Sequence, residues 1–266
     1  MTPTTFRFVE KDGIGTLTLD RPDTLNALTF EVYDELRRFL AHLRDRRSTS
    51  VLVITGAGRG FCSGGDVNAI IGELFSRKAE GLVEFTRMTC DVIRAMRGLR
   101  KPIIAAVNGT AAGAGAVIAL AADIRLFAPA AKIGFLFVKV GLAGADMGAA
   151  HLLPRVVGLG RATELLMTGR MVDAAEAERM GLANRVAAPD RLLEEADALA
   201  RTLAQGPLFA LGMTKELLDR EAPLDVGAAL EWEAQAQAYC MLHRDFREAY
   251  EAYKEKRAPR FGESAA

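Results

Sequence analysis

The stretch "GTAAGAGAVIALAADI" spans residues 109–124. A glycine- and alanine-rich turn runs straight into an apolar segment, and no ionisable side chain appears until Asp123. It follows "PIIAAV" (102–107), a short apolar run bounded by Pro and Asn that reads as a buried strand. Strand, turn and helix therefore succeed one another within about twenty residues. A helix start leaves backbone N–H groups without intrahelical partners and carries the positive end of the dipole, so such a turn can hold an anion. The stretch itself offers no acid or base, and any chemistry must draw one from elsewhere in the chain.

Upstream, the same grammar occurs once more. "SVLVIT" (50–55) reads as a buried strand, "GAGRGFCSGGD" (56–66) as a loop, and Asp66 as the start of the next helix. "FRFVEKDGIGTLTLDRP" alternates in both halves about Asp12-Gly13, a strong hairpin signal. "TFEVYDELRRFLAHLRD" places Val32, Leu36, Phe39, Leu40 and Leu43 at helical spacing behind Thr29 as N-cap. A long helix is expected from about Lys78 to Leu99. "IRLFAP" and "KIGFLF" read as strands, "VGLAGADMG" as a loop, and the chain beyond Ala149 as mostly helical with one short strand near "ANRVAA". Strands alternating with helices, then helices alone, predict an α/β fold with a helical C-terminal portion. No sequence repeat is visible.

Composition narrows the function classes. Half of the 266 residues are apolar, enough for a large core. Lys+Arg and Asp+Glu balance at 34 each, so a nucleic-acid partner gains no support from charge. Cys62, Cys90 and Cys240 are few, scattered and odd in number, which fits free thiols in a reducing cytoplasm. The N-terminal segment lacks a basic-then-apolar signal pattern, and no run of about 18 uncharged apolar residues predicts a membrane span.

Familiar catalytic patterns are absent. "GAGRGF" and "GAGAVI" both lack the third glycine of a dinucleotide-binding turn. "FCSGGD" carries Phe61 where a nucleophile elbow needs glycine, so Cys62 and Ser63 read as turn and packing residues. His42 and His243 sit in charged helical contexts, and His151 is a weak candidate for a site wall. No His, Cys, Asp or Glu spacing suggests a metal. What remains is the pair of glycine turns, each following a buried strand. They serve either tight packing or, facing each other, an oxyanion hole.

The chain resembles the crotonase, or enoyl-CoA hydratase/isomerase, superfamily over nearly its whole length. The resemblance rests on "LDRPDTLNAL" (19–28), "GAGRGFCSGGD" (56–66), "KPIIAAVNGTAAGAGAVIALAADIRL" (101–126), "LLPRVVGLGRATELLMTGR" (152–170) and "EAERMGLANRV" (176–186). It implies a crotonase-like spiral of ββα turns over about residues 1–200, a helical trimerisation region over 201–258 and a tail over 259–266. The substrate it implies is an acyl-CoA thioester, with coenzyme A entering as part of the substrate and no separate cofactor or metal. It implies self-association as a trimer or hexamer, and no nucleic-acid or membrane partner. The family's two oxyanion donors fall on the amides of Gly65 and Ala114, each worth about 3 kcal/mol in the transition state. Ala27, Phe61, Ser63 and Asp66 fall along the implied CoA and acyl path, and Lys256 where a lysine reaches a CoA phosphate.

In one respect the chain departs from its family. The two glutamates that handle water in typical hydratases correspond here to Val117 and Phe137, neither of which can move a proton. Asp146 falls where isomerase-type members keep a single carboxylate, within one residue of register. The alternative reading of Asp146 is an N-cap for a helix over Met147 to Val157. One acid beside an oxyanion hole suits double-bond migration, since burial raises its pKa and excluded water favours returning the proton to carbon. Three other readings stay open: an unusual hydratase or ring-opening enzyme, a hydrolase with an attacking aspartate, and a non-catalytic acyl-CoA binder. The hydrolase also wants a histidine where Cys90 stands.

Overall fold

The computed structural model describes residues 2–262. It opens with the expected hairpin, β1 (Phe6–Lys11) and β2 (Ile14–Leu19), paired antiparallel with Phe6 opposite Leu19. Asp12 (φ 52°) and Gly13 (φ 77°) make the turn, the left-handed pair a two-residue hairpin demands. Helix α1 (Phe30–Asp45) follows, with the Thr29 side chain accepting from Val32 N as its N-cap. Val32, Leu36, Phe39, Leu40 and Leu43 are all buried.

Three strand–strand–helix turns then succeed one another. The first is β3 (Val51–Gly56), β4 (Gly60–Cys62), a π-helical turn at Val67–Ile71 capped by Asp66, the short α2 (Gly72–Leu74) and α3 (Ala79–Arg97). The second is β5 (Ile103–Val107), β6 (Thr110–Ala112) and α4 (Ala114–Ala121). The third is β7 (Ile124–Phe127), β8 (Lys132–Gly134), a 3-10 turn at Leu136–Val140, α5 (Ala149–Val157) and α6 (Leu159–Thr168). The chain continues through β9 (Val172–Asp173), α7 (Ala174–Arg179), β10 (Arg185–Val186), α8 (Leu192–Ala204), α9 (Leu208–Arg220), α10 (Val226–Leu242) and α11 (Arg244–Glu255).

The strands form two sheets. One has the order β1-β2-β3-β5-β7-β10 and the other β4-β6-β8-β9, so each turn of the spiral adds a strand to both. The central strands β3 and β5 of the first sheet are buried on both faces, which is why they read as continuous apolar runs. Leu52, Ile54, Ile103, Ala105 and Val107 face the main core with α1, α3 and α4. Val51, Val53, Ile104 and Ala106 face the opposite side, covered by Leu192, Ala196 and Ala200 of α8. The two-residue period of a strand thus divides one sequence run between two cores.

Three local expectations are corrected. "GAGRGFCSGGD" is not wholly a loop, because it contains β4. "KIGFLF" is a strand only as far as Gly134 and then tightens into the 3-10 turn. Asp146 does not N-cap a helix from Met147, because α5 starts at Ala149 behind Gly148. Part of the expected tail is tied down: Arg260 N donates to Glu248 Oε1 (2.7 Å) and Arg244 Nη2 to Gly262 O (2.7 Å). Residues 263–266 of that tail lie outside the described residues.

Candidate active site

Two adjacent parallel strands build the site. β4 and β6 pair with Gly60 opposite Thr110 and Cys62 opposite Ala111, so their C-terminal ends emerge side by side. From β4 comes the turn Ser63–Gly65, and from β6 the turn Gly113–Gly115. The approach is close enough to exclude side chains. A Cβ on Gly64 (φ 100°) would stand 3.0 Å from Ala112 O and 3.6 Å from Ala114 N. A Cβ on Gly115 would stand 2.2 Å from Cys62 O, an impossible contact. Here glycine serves both conformation and proximity.

The hydrogen bonds around the turns leave two amides over. Leu28 N donates to Gly64 O (2.8 Å) and Asp66 N donates to Leu28 O (2.8 Å). This bridge engages the groups flanking Gly65 and bypasses the Gly65 N–H. Gly113 N donates to Gly134 O (2.9 Å), and Val117 N donates to Gly113 O (3.1 Å). Ala114 is the first residue of α4, where an N–H has no partner within the helix. Among the described residues, neither the Gly65 nor the Ala114 N–H has an acceptor. Ala114 is only 4% exposed. A buried N–H without a partner is costly, and an oxygen placed between the turns removes that cost.

Asp146 lies in the loop before α5, half-buried. Burial pushes its carboxyl above the usual carboxylate range, opposed by the Met147 N–H that donates to Oδ1 (2.8 Å). Met147 (φ 49°) and Gly148 (φ 91°) both adopt left-handed backbone, which bends the chain there. The charge of Asp146 reaches two side chains. Burial and then Asp146 raise the Cys90 thiol, and burial, Cys62 and Asp146 together raise the Tyr33 hydroxyl. Tyr33 in turn borders Gly65, its oxygen 3.9 Å from where a Gly65 Cβ would stand. Tyr33 thus stands next to the first glycine turn and within reach of the Asp146 charge.

The apolar candidates are buried. Val117 is fully buried one turn beyond Ala114 on α4, and Phe137 is 8% exposed. The Phe137 ring reaches the second turn, its Cε1 3.9 Å from the Cβ position of Gly113. Phe61 and Ala27 are buried. The Cys62 thiol is sealed in, and burial pushes it up to about 12.

The remaining candidates divide differently. Ser63 Oγ donates to Thr24 O (3.0 Å), tying the turn to the 3-10 segment Pro22–Thr24. Asp66 Oδ1 accepts from Asn68 N and Ala69 N (3.1 Å each), and Oδ2 pairs with Arg21 (3.0 Å). These bonds, led by that from Ala69, lower its pKa despite opposing desolvation. Both residues are thus occupied in holding the turn. Lys256 is exposed at the C-cap of α11, on the outer helices. His151 is exposed on α5. Asp123, the first ionisable residue after the opening turn, accepts from Ile103 N (2.8 Å) and pairs with Lys215 (2.8 Å) and Arg97 (2.9 Å). It joins α4 to α3 and α9 and stays structural.

Two asparagines went unnoticed in the sequence. Asn26 (φ 58°) donates from Nδ2 to Ala57 O (2.9 Å) and Gly60 O (2.8 Å), while its Oδ1 accepts from Arg21 N (2.9 Å). Asn108 Oδ1 accepts from Gly56 N (3.1 Å), and its Nδ2 donates to Gly58 O (3.0 Å) and Gly60 O (3.1 Å). Together they clamp the loop that delivers β4 and the first turn. The available signal was modest: an Asn within each of two turn-rich stretches, able to bond backbone and tolerate left-handed geometry.

A spiral of strand–strand–helix turns, closed by a helical C-terminal region and carrying two outward amides at adjacent strand ends, is a crotonase fold. The chain belongs to the enoyl-CoA hydratase/isomerase family, whose sequence model matches residues 9–264. It is 37% identical over 253 residues to a 1,2-epoxyphenylacetyl-CoA isomerase of Escherichia coli K12, covering 95% of this chain and 96% of that protein. It is 38% identical over 266 residues to a protein assigned as an enoyl-CoA hydratase in Mycobacterium tuberculosis, covering 93% and 89% respectively. A crystal structure assigned as an enoyl-CoA hydratase from Streptomyces coelicolor superposes with a TM-score of 0.95 at 51% identity, covering 98% of this chain and 96% of that one.

Proposed function

We propose that the chain binds an acyl-CoA thioester with its carbonyl oxygen between the Gly65 and Ala114 amides, and that Asp146 is its single acid–base group. The reaction class is double-bond migration in an enoyl-CoA. The Asp146 carboxylate takes a proton from C2 of a 3-enoyl thioester. The electron pair left behind forms an enolate, whose oxygen gains charge against the two N–H groups. The resulting carboxylic acid returns the proton at C4, and the C3–C4 double bond moves to C2–C3. Atoms and charge balance without water.

The observation that carries this reading is the pair of unengaged amides, taken with a half-buried carboxyl whose pKa burial has raised and whose charge reaches Tyr33, a neighbour of Gly65. A raised pKa makes the carboxylate a stronger base. Val117 and Phe137 match the positions of the two hydratase glutamates, and their apolar side chains leave no second carboxylate to act on water, which favours isomerisation over hydration. The isomerase relative named above supports the same choice, while the hydratase relatives keep hydration as the second reading. Coenzyme A comes with the substrate, and Lys256 is proposed to meet its phosphates. Exposed Leu230, Trp232 and Tyr239 on α10, with Phe246, Tyr250 and Tyr253 on α11, support self-association through the C-terminal helices. Cytoplasmic residence is part of the proposal.

The test is proton NMR in deuterium oxide with 2-enoyl and 3-enoyl thioesters. Isomerisation with deuterium incorporation is the expected result, and turnover should rise with pH through a value above the ordinary carboxylate range. Asp146→Asn should lower turnover about 10²–10⁴-fold with thioester binding retained. Net hydration of 2-enoyl thioesters as the main product, or unchanged turnover in that variant, would reject the assignment. Binding without any turnover across the panel would leave an acyl-CoA binder.

A further inference from the structure

The Tyr33 side chain has no role in the mechanism above. It stands on the inward face of α1, 3% exposed, with Phe85 edge-on at 6.0 Å between ring centroids. Its ring fills core space that Phe would fill equally well. The hydroxyl is the unexplained part: among the described residues it makes no hydrogen bond. Its surroundings are given by its neighbours. The oxygen stands 3.9 Å from the Cβ position of Gly65, and Ile70 Cδ1 stands 3.7 Å from the same point. The hydroxyl thus stands beside the first glycine turn, with the apolar Ile70 side chain next to it.

We infer that the Tyr33 hydroxyl touches substrate, donating a hydrogen bond to an oxygen carried on C2 or C3 of the acyl group. The chain would accordingly prefer acyl-CoA thioesters with a hydroxyl, epoxide or keto oxygen next to the thioester over plain hydrocarbon chains. Proximity to the Gly65 amide places the donor near the first acyl carbons rather than the far end of the chain or the CoA. Burial and the nearby Asp146 charge keep the phenol protonated, so it is a donor at neutral pH. A buried hydroxyl with no protein partner costs free energy, and a ligand oxygen supplies what is missing. This inference rests on the thioester site proposed above.

The experiment compares binding of hexanoyl-CoA, 2-hydroxyhexanoyl-CoA and 3-hydroxyhexanoyl-CoA by titration calorimetry, with ligands checked intact afterwards by mass spectrometry. The unaltered protein should bind one hydroxylated ligand about three- to tenfold more tightly than hexanoyl-CoA. Tyr33→Phe removes one oxygen and keeps the ring. It should erase that preference and leave hexanoyl-CoA affinity unchanged. Equal affinity of the unaltered protein for all three overturns the inference with no variant needed, as does a Tyr33→Phe effect of the same size on every ligand. If no thioester binds the unaltered protein, the site assignment itself falls and this inference with it.

Discussion

The two glycine turns present the same chemical group by different means. The turn after β4 is held from outside. Leu28 bridges around Gly65, Ser63 is tied to Thr24, and Asp66 is anchored by Arg21, while the Gly65 Cα itself faces room, with no atom nearer than 3.7 Å to a Cβ built there. The turn after β6 is held from within. Gly113 adopts φ 51°, Ala114 opens a buried helix, and Gly115 presses its Cα against the Cys62 carbonyl. One donor is positioned by a strap of backbone and side-chain bonds from residues 21–28 and the other by tightly packed backbone. The first has room to change with substrate and the second does not.

Substitutions test that difference directly. The largest effect is expected at Gly115→Ala, where the new methyl collides with backbone. Destabilisation of about 4 kcal/mol or more, or failure to accumulate folded protein, is expected in chemical denaturation. Near-normal stability would show that the second turn is as adaptable as the first.

Ala114→Pro comes next. Proline suits the first position of a helix and removes only an N–H that α4 does not use. Circular dichroism should be unchanged while kcat falls about 10²–10³-fold, the loss of one oxyanion donor. Unimpaired kcat would remove Ala114 from the site and leave the rigid turn with a packing role alone.

A smaller effect concerns Asp146. Its folded pKa is raised, so the folded state holds that proton more tightly than the unfolded chain. The associated stability is complete in acid, below the unfolded value of about 3.9, and is lost as pH rises through the folded value. Asp146→Asn should therefore be indistinguishable from the parent in acid and more stable near neutrality, by about 0.5–2 kcal/mol in paired urea melts. A stabilisation that does not grow with pH would contradict the buried-carboxyl account.

The smallest effect is expected at Gly65→Ala. Its Cβ meets only ordinary contacts and its φ lies outside the left-handed region, so stability should stay within about 1 kcal/mol of the parent. The amide survives. A collapse in stability here would make the two turns alike after all.

The legible parts of the fold were those with long periodic signals. The hairpin at Asp12-Gly13, α1 behind Thr29, β3, β5 and α3 all stand where alternation, capping or apolar runs put them. The second sheet was not legible as a sheet, because β4, β6 and β8 have three residues each and β4 and β6 lie inside glycine-rich stretches. Three residues carry no measurable period, and their pairing is non-local. The spiral repeat escaped for the same reason: its turns share geometry, while their helices range from the three residues of α2 to the nineteen of α3. At the site, the glycines and the missing glutamates could be read along the chain. The role of Asn26 and Asn108 as clamps could not, since their partners lie 31 to 52 positions away.

What the sequence alone determined was the inventory: two strand–turn–helix units with glycine at the crowded points, apolar residues at positions 117 and 137, and one carboxylate in the loop at 146. Each is a property of residue type and local order. Only the tertiary structure decided that β4 and β6 run side by side, so that two amides are left without acceptors at one place. It also decided that a tyrosine from a different helix brings its hydroxyl next to the first of them. The reason is physical: a backbone N–H is identical in every residue but proline, and its meaning comes from which partners the fold gives it and which it withholds.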